Sequence, residues 1–433
     1  MVCEMNDNVI AKLIDDETQR QRSGLELIPS ENYVSRQVLD ALGSTLTNKY
    51  SEGYPGMRYY GGQEFTDQIE QTAIDRAKVL FGSDHANVQP HSGAQANEAL
   101  YHSWLDAGDT VMAMDLSHGG HLTHGHPVTV LARQYNFIRY KMSNIETGEF
   151  DFDEIRKTAL KERPKILLVG FSAFPRELNY AEFAKIGNEV GALLVADIAH
   201  IAGLIAGKAL ANPLDYGFHV LTSTTHKSLR GPRGGLILSN GTVSSPLKAP
   251  MKSIDTIPTL IDRTVFPGMQ GGPLMNTIAA KAVSFYEAQQ PSFKQYAKDV
   301  VENSHELADQ LMQKGFKLVT NGTDNHLILI DMVKSLGIDG AIAESILDSV
   351  GLTLNKNAIP DDTNPPFKPS GVRLGTPAIT TRGATKNEMT MLSGWIYDAL
   401  AGRENASEIK RIKEEVTAYS LSKPLPSDLV TKI

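Results

Sequence analysis

The chain has 433 residues, of which 41% are hydrophobic and 21% are charged, and this composition excludes a disordered or fibrous protein. The formal net charge of −8 gives no overall positive field that would attract nucleic acid or an anionic membrane. The single cysteine, Cys3, excludes an internal disulfide framework and a multi-cysteine metal site, and it fits a reducing compartment.

The N-terminal segment is polar and acidic, whereas a signal peptide needs a basic start followed by an apolar run. No apolar stretch approaches the roughly 20 residues that cross a bilayer. We therefore expect a cytoplasmic protein with no membrane partner and no nucleic-acid partner. Residues 6–20 carry Val9, Ile10, Leu13 and Ile14 at an i, i+4 spacing, which predicts an amphipathic helix that packs on another surface.

From about residue 66 to 280, helix-like periodicity alternates with short β-rich runs, at 110–114, 165–171, 192–197, 220–223 and 235–238. Alternation of this kind predicts a mostly parallel sheet flanked by helices, the α/β class. The segments 166–169 and 193–196 are apolar without a period of two, which is typical of strands covered on both faces. We expect those two strands at the centre of the sheet.

Residues 274–316 read as one long helix that passes between two domains. The rest of the chain shows a strand-like run at 326–330, a helix at 340–349 and a final helix at 389–400, which together predict a smaller α+β unit. The predicted organisation is an N-terminal helical arm at 1–40, a large α/β domain at 41–280 and a small C-terminal α+β domain at 281–433.

An acid and an amine, Asp197 and Lys227, each follow a predicted strand and so lie at the sheet edge where ligands of open α/β proteins bind. A pyridoxal phosphate enzyme needs this pair, a lysine to hold the aldehyde as an imine and a carboxylate to keep the pyridine nitrogen protonated. Each residue taken alone is more often a solvated charge at a turn. Their joint context favours the cofactor site.

A small-residue turn, Ser92-Gly93-Ala94, opens a predicted helix, where free backbone N–H groups would bind a phosphate. Such a helix start is by itself more often an ordinary N-cap than an anion site. The turn becomes a stronger candidate for a phosphate site because Asp197 and Lys227 follow it in the chain.

The chain resembles the serine hydroxymethyltransferase family of fold-type I pyridoxal phosphate enzymes. The resemblance rests on motifs that span nearly the whole chain, at residues 48–56, 58–62, 118–125, 197–200, 224–235 and 371–378. It implies a large domain with a mostly parallel seven-stranded sheet and a smaller C-terminal domain. It also implies pyridoxal 5′-phosphate as a cofactor that is covalently bound to Lys227.

By this resemblance, Asp197 pairs with the pyridine nitrogen, His121 stacks on the ring and His200 contacts the phenolic side. The remaining cofactor residues implied by the family are Ser92, Gly93, Ala94, Ser172 and His226, with Tyr50, Gly271 and Gly272 supplied by the neighbouring subunit. A homodimer is then the minimum assembly, and a tetramer stays open. No metal site is implied, and His118, His124 and His126 are interpreted as structural.

The family also implies the substrate residues. Arg373 would grip the α-carboxylate of the amino acid, a role that suits a planar guanidinium. Glu52 would transfer a proton beside the substrate hydroxyl, Tyr60 would assist by hydrogen bonding, and Ser30 would contact the substrate. Residues expected around the co-substrate tetrahydrofolate are Leu116, Gly120, Leu122 and Asn357.

The predicted activity is reversible conversion of L-serine and tetrahydrofolate to glycine and 5,10-methylenetetrahydrofolate, a reaction of one-carbon metabolism. A folate-independent aldolase for β-hydroxy amino acids is the nearest alternative, because it needs Lys227, Asp197 and Arg373 but no pterin slot. A non-catalytic RNA-binding or scaffolding protein of the same fold is the alternative from another class, and the acidic composition disfavours it.

Overall fold

The computed structural model describes residues 6–241 and 256–429, so Cys3 lies outside the described residues. The helices over these ranges are α1 (Asn8–Ser23), α2 (Arg36–Leu42), α3 (Glu64–Phe81), α4 (Gly93–Trp104), α5 (Leu131–Gln134), α6 (Phe152–Glu162), α7 (Tyr180–Val190), α8 (Ala202–Ala206), α9 (Ile257–Arg263), α10 (Met275–Ala288), α11 (Pro291–Gln313), α12 (Met332–Leu336), α13 (Gly340–Ser349), α14 (Pro377–Thr381), α15 (Met389–Ala401) and α16 (Ala406–Ser422). Within the same ranges, none of these helices has the length and apolar content that a membrane span requires.

The strands of the described residues are β1 (Leu25–Glu26), β2 (Gly53–Tyr54), β3 (Met57–Arg58), β4 (His85–Asn87), β5 (Thr110–Met114), β6 (Asn136–Tyr140), β7 (Ile166–Gly170), β8 (Leu193–Asp197), β9 (Val220–Thr224), β10 (Gly235–Ser239), β11 (Lys317–Leu318), β12 (Leu327–Asp331), β13 (Leu352–Thr353), β14 (Asn355–Asn357) and β15 (Gly371–Gly375). Each predicted strand is present, with ends that move by no more than one residue. The runs without period two, in β7 and β8, are buried along their whole length.

The large sheet has seven strands in the order β4-β10-β9-β8-β7-β5-β6. Strands β5 to β9 are parallel, and β10 is antiparallel to both β4 and β9. The α/β class and the mostly parallel seven-stranded sheet are therefore confirmed, with β7 and β8 in the interior of the sheet as the apolar runs predicted.

The core of the large sheet has two faces, because successive side chains of each strand point to opposite sides. Leu167 and Val169 of β7 belong to one buried cluster, while Ile166 and Leu168 belong to the cluster on the other face. Helices cover both faces, so the sheet edge where the strands end is left as the place for polar side chains.

A second, antiparallel sheet of four strands has the order β11-β12-β15-β14. Its residues pack in a separate buried cluster with side chains from α11, α13, α15 and α16. In addition, the short strand β1 pairs in parallel with β13, which ties the N-terminal segment to the C-terminal part of the chain. The division into an arm and two domains stays a prediction.

The helices differ from the sequence prediction in three places. The predicted long helix at 274–316 is two helices, α10 and α11, because the chain leaves the helix at Gln289 and Gln290 and restarts with Pro291 in the first turn. The helix at 389–400 is not the last one, since α16 follows it. The amphipathic α1 forms as predicted, but its apolar side chains stay exposed on this chain, with Val9 68% and Leu13 58% exposed.

Candidate active site

The candidate site lies at the edge where the parallel strands of the large sheet end. Asp197 is the last residue of β8, and Lys227 follows the end of β9. Ser172 follows β7, and the turn at Ser92 and Gly93 opens α4. These segments enclose a cavity of about 220 Å³ that is lined by Ser92, Gly93, Ala94, Asn97, His121, Phe171, Ser172, Asp197, Ala199, Thr224, His226, Lys227 and Arg233.

Asp197 is a buried carboxylate that accepts three hydrogen bonds. Its Oδ2 accepts from Asn97 Nδ2 (2.9 Å) and from His124 Nε2 (3.0 Å), and its Oδ1 accepts from the backbone N–H of Ala199 (3.1 Å). Burial alone would raise the pKa of Asp197, but the hydrogen bonds from His124 and Asn97 lower that pKa below its ordinary value. The carboxylate is therefore ionised across the physiological pH range.

His124 fixes the orientation of the Asp197 carboxylate. Its Nδ1 accepts from the backbone N–H of His121 (3.1 Å), so its Nε2 carries the proton that faces Asp197. The side chain is buried, at 2% exposure. From the sequence His124 is interpreted as structural only, whereas in the structure it hydrogen-bonds the acid of the site.

Lys227 contributes an amine with a reduced proton affinity. Burial lowers the pKa of Lys227 to about 8, the Asp197 charge opposes that shift, and the positive charges of Arg373 and Arg233 add to it. Among the described residues, the Nζ atom has no hydrogen-bond or ion-pair partner. A lysine of this kind is a stronger nucleophile near neutral pH than an ordinary surface lysine.

His121 presents a neutral imidazole to the cavity. Burial is the main cause that lowers its pKa to about 4; His124, Lys227 and Arg373 contribute to this shift, while Asp197 acts in the opposite direction. Its Nδ1 lies 2.7 Å from the Thr123 hydroxyl, which holds the ring in place. A neutral, oriented aromatic ring suits stacking on a flat ligand.

The other end of the cavity is formed by the first turn of α4. Ser92 is the N-cap, and its hydroxyl accepts from the backbone N–H of Gln95 (3.2 Å). A Cβ at Gly93 would lie 2.6 Å from Thr224 Cγ2, so the close approach of β9 to the turn leaves no room for a side chain. Free N–H groups and the positive end of a 12-residue helix favour an anion here.

Two further side chains, a neutral imidazole and a guanidinium, line the same cavity. His226 lies in the lining, and burial lowers its pKa to about 3, with Arg233 and Lys227 adding to the shift. Arg233 also lines the cavity. One ionised acid, one unpartnered amine and one anion-binding turn around a single cavity are the donor set that pyridoxal phosphate needs, so the residues fit this cofactor.

Arg373 lies in the middle of β15 and has a half-buried side chain. Its Nε donates to Asn355 Oδ1 (3.2 Å), and one terminal nitrogen donates to the backbone carbonyl of Ser172, beside the cavity. Burial lowers the pKa of Arg373 to about 10, so the group stays a cation at neutral pH. The second terminal nitrogen has no partner among the described residues and can receive a carboxylate.

His200 does not appear in the cavity lining. It is 3% exposed, its Nδ1 lies 3.3 Å from His326 Nε2, and the two rings stack with centroids 5.5 Å apart. Burial and the positive charges of Lys227 and Arg373 lower the pKa of both imidazoles. The predicted contact of His200 with the cofactor stays a prediction.

Five predicted residues form a second cluster that does not line the cavity, namely Tyr50, Glu52, Tyr60, Gly271 and Gly272. The Tyr50 and Tyr60 rings meet edge to face at 5.1 Å, and the charge of Glu52 raises the pKa of Tyr50. A Cβ at Gly271 would lie 3.4 Å from Glu52 Oε1, which places the two segments in contact. Both tyrosines are exposed, at 57% and 49%. We call this set the tyrosine cluster.

The predicted folate residues also lie outside the cavity lining. Leu116 and Leu122 are exposed, at 37% and 45%, while a Cβ at Gly120 would lie 2.3 Å from the Met114 carbonyl. Asn357 ends β14, the neighbour of the strand that carries Arg373. The predicted substrate residue Ser30 is half-buried.

The folate segments are linked through His118, whose Nε2 lies 3.1 Å from Asp361 Oδ1. Ser30 follows a segment that is joined to the end of β15, where the Gly375 N–H donates to the Leu27 carbonyl (2.8 Å). These links join the Ser30 segment to the end of β15 and the His118 loop to the segment that follows β14.

Among the polar residues at the site, sequence reasoning gave no role to Asn97 and Arg233, and it did not pair His124 with Asp197. Asn97 could have been predicted, because it lies one helical turn after Gly93 and therefore on the same face of α4. Arg233 falls in the Gly-Pro-Arg-Gly-Gly run after Lys227, where glycines admit a close ligand. Within the described residues, the ligand atoms of His121, His124 and Asp197 lie within 4.8 Å of one another, but they already serve the hydrogen bonds given above.

Comparison with known proteins agrees with this geometry. The family model described as serine hydroxymethyltransferase matches residues 3–396. A serine hydroxymethyltransferase of Acidobacterium capsulatum is 50% identical over 420 residues, which cover 97% of this chain and 94% of that relative. The chain therefore belongs to the serine hydroxymethyltransferase family, whose members are pyridoxal phosphate enzymes of fold type I.

Proposed function

We propose that the cavity between Asp197 and Lys227 holds pyridoxal phosphate and that the residues around it carry out the family reaction. That reaction interconverts L-serine plus tetrahydrofolate with glycine plus 5,10-methylenetetrahydrofolate. The observation that carries the assignment is the single cavity that Lys227, Asp197 and the first turn of α4 share. When bound, the cofactor supplies an aldehyde for the amino group and a protonated ring that accepts electrons from Cα.

Lys227 and Asp197 would each bind a different part of the cofactor. Lys227 offers the amine that binds the aldehyde, and its lowered pKa keeps a useful fraction in the neutral form. Asp197 stays ionised and would stabilise a protonated ring nitrogen, which keeps the ring able to accept electrons. His121 would pack on the ring.

Arg373 determines which bond of the substrate reacts. A guanidinium that holds the α-carboxylate at one end fixes the rotation about the bond between Cα and nitrogen. By fixing this rotation, Arg373 would select the Cα–Cβ bond of serine as the one presented to the cofactor. Ser30 contacts the substrate beside Arg373, and His200 contacts the phenolic side of the cofactor from its stack with His326.

Glu52 and Tyr60 act on the substrate hydroxyl, with Glu52 as the proton donor and acceptor. Folate binds between Leu116 and Leu122, next to Gly120 and Asn357. These leucines are large apolar side chains with free surface, which fits contact with a flat pterin ring.

The tyrosine cluster serves the active site of the partner subunit. Its members are Tyr50, Glu52, Tyr60, Gly271 and Gly272. Support comes from their position, because they form a cluster of their own with exposed tyrosines rather than part of this chain's cavity lining. The enzyme is then at least a homodimer.

We also propose that the enzyme is cytoplasmic. Its proposed domains are those predicted from the sequence, namely the N-terminal arm, the large domain and the small domain.

The central test replaces Lys227 with Gln and measures both the visible absorbance of the bound cofactor and the turnover of serine. We expect loss of the visible absorbance of the covalently held cofactor and loss of multiple turnover, because the amine that would hold the aldehyde is gone. The exposed Lys294 provides a matched control, and Lys294→Gln should keep both signals. Unchanged turnover in Lys227→Gln would contradict the assignment.

A second measurement separates the transferase from a folate-independent aldolase. Serine cleavage is followed with and without tetrahydrofolate at the same enzyme concentration. We expect a much faster reaction with tetrahydrofolate, because it accepts the one-carbon unit. Equal rates would reject the transferase and favour the aldolase.

A further inference from the structure

A buried lysine that the proposed reaction does not use lies behind the cavity. Lys281 belongs to α10 and is 1% exposed. Its ammonium donates to three backbone carbonyls, those of Val88 (2.7 Å), Pro90 (3.2 Å) and Gly235 (2.8 Å). No carboxylate of the described residues forms an ion pair with it. A buried cation without a paired anion is costly, so its retention calls for a reason.

The three carbonyls belong to the two segments that border the phosphate end of the cavity. Val88 and Pro90 lie in the link between β4 and the turn at Ser92 and Gly93. Gly235 begins β10, two positions after Arg233. One ammonium therefore ties the segment that opens α4 to the segment that carries Arg233.

The glycines of this region leave space for the lysine and for the turn. A Cβ at Gly234 would lie 2.4 Å from Lys281 Cε and 2.9 Å from its Nζ. A Cβ at Gly235 would lie 2.3 Å from the Ser92 carbonyl oxygen. The backbone, the lysine and the N-cap of α4 are thus packed in direct contact, and a shift of one is transmitted to the others.

The charge of Lys281 reaches the cavity. Burial is the main cause of the lowered pKa of His226 in the lining, and the positive charge of Lys281 contributes to it. Burial lowers the pKa of Lys281 itself to about 7, with the charge of Glu70 acting in the opposite direction. The lining contains a single carboxylate, Asp197, whose oxygens already accept from His124, Asn97 and Ala199. A bound phosphate dianion would supply the negative charge that this end of the cavity lacks.

We propose that Lys281 is a positioning residue for the phosphate of the cofactor. It holds the turn at Ser92 and Gly93 through the Val88, Pro90 and Gly235 carbonyls, and its charge offsets the dianion from behind the backbone. The inference rests on the proposed cofactor site. It predicts that loss of the ammonium weakens a ligand that carries a phosphate and spares the same ligand without one.

The test titrates the cofactor-free forms of the wild type, Lys281→Met and Lys281→Gln with pyridoxal phosphate and, separately, with pyridoxal, followed by protein fluorescence. We expect the Kd for pyridoxal phosphate to rise at least tenfold in both variants, while the Kd for pyridoxal changes less than twofold. The exposed Lys294 gives the control, and Lys294→Met should leave both constants unchanged. Circular dichroism and the melting temperature of each cofactor-free form check the fold.

Equal weakening of both ligands would overturn the inference, because a merely structural lysine acts on the whole cavity. An unchanged Kd for pyridoxal phosphate would also overturn it. Lys281→Gln keeps N–H donors for the carbonyls, so it decides the question if Lys281→Met does not fold. If the wild type does not bind pyridoxal phosphate at all, the proposed function itself fails, and the two failures are therefore distinguishable.

Discussion

At the scale of single residues, the site depends on two groups whose charges are set by opposite means. Hydrogen-bond donors keep Asp197 ionised, whereas burial and nearby cations keep Lys227 partly neutral. Asp197 also raises the pKa of Lys227, so the protonation of the lysine depends on the charge of the acid. The pH at which the lysine can bind an aldehyde therefore depends on the acid across the cavity.

This coupling predicts a pH profile for cofactor attachment. The neutral amine is the reactive form, so the attachment rate should rise as pH rises through about 8, the pKa of Lys227, and level off above it. Asp197→Asn removes a charge that raises this pKa, so its midpoint should lie at lower pH. Stopped-flow absorbance from pH 6 to pH 10 measures both, with N-α-acetyllysine as the control for titration of the cofactor itself. A midpoint that moves upward in Asp197→Asn would refute the coupling.

Arg373 gives a prediction about substrate binding. Arg373→Ala removes a charge-assisted contact with the α-carboxylate, which corresponds to about 2–3 kcal/mol and raises the KM for serine by about 30- to 150-fold. The Kd for the cofactor should change by less than about threefold, because the arginine is assigned to the substrate. Arg156→Ala, at an exposed ion pair with Glu189, serves as the control in steady-state assays. A cofactor Kd that rises as much as KM would contradict the assignment.

At the scale of helices and strands, burial decides what could be predicted from the sequence. The segments of β7 and β8 were predictable because they are apolar on both faces. The break between α10 and α11 was missed because apolar residues continue on both sides of Gln289-Gln290-Pro291. Helix α16 was missed because its buried face is narrow, with Ile412 and Val416 among mostly charged neighbours.

Arg382 ties three of these elements together, since it follows α14 and donates to backbone carbonyls at the ends of α1 and α16. The acceptors are Gln21 (3.0 Å), Arg22 (3.0 Å), Gly24 (2.7 Å), Lys423 (2.8 Å) and Ser420. Arg382→Ala leaves these groups without a donor and should lower the free energy of unfolding by about 3 kcal/mol. Urea denaturation measures the loss. Arg403→Ala is the control, because Arg403 donates to one carbonyl only and should cost less than about 1 kcal/mol.

At the scale of the whole molecule, the sequence indicates which residues matter but not on which chain they act. Asp197 and Lys227 could be paired from their places after two strands, and the structure puts both in one cavity. The contacts within the tyrosine cluster could not be predicted from one sequence, because its members come from residues 50–60 and 271–272, which are more than 200 positions apart. His124 could not be assigned either, since its partner Asp197 is 73 positions away.

The proposed division of the site between two chains predicts that two inactive variants can restore each other. Lys227→Gln and Glu52→Ala should each be inactive as purified proteins. When they are unfolded, mixed in equal amounts and refolded, half of the dimers contain both variants, and each of these has one intact site. We expect about one quarter of the wild-type turnover per chain. Activity no higher than the sum of the parents would show that both residues serve the same chain's site.

The cavity draws its walls from positions between 92 and 233, and Arg373 reaches it from the other sheet through the Ser172 carbonyl. Contacts between such distant positions form late in folding, because each requires a long loop to close. A growing or refolding chain can therefore have its helices and most of its strands in place while it is still unable to capture the cofactor. The colour of the bound cofactor would then mark the last stage of maturation rather than its beginning.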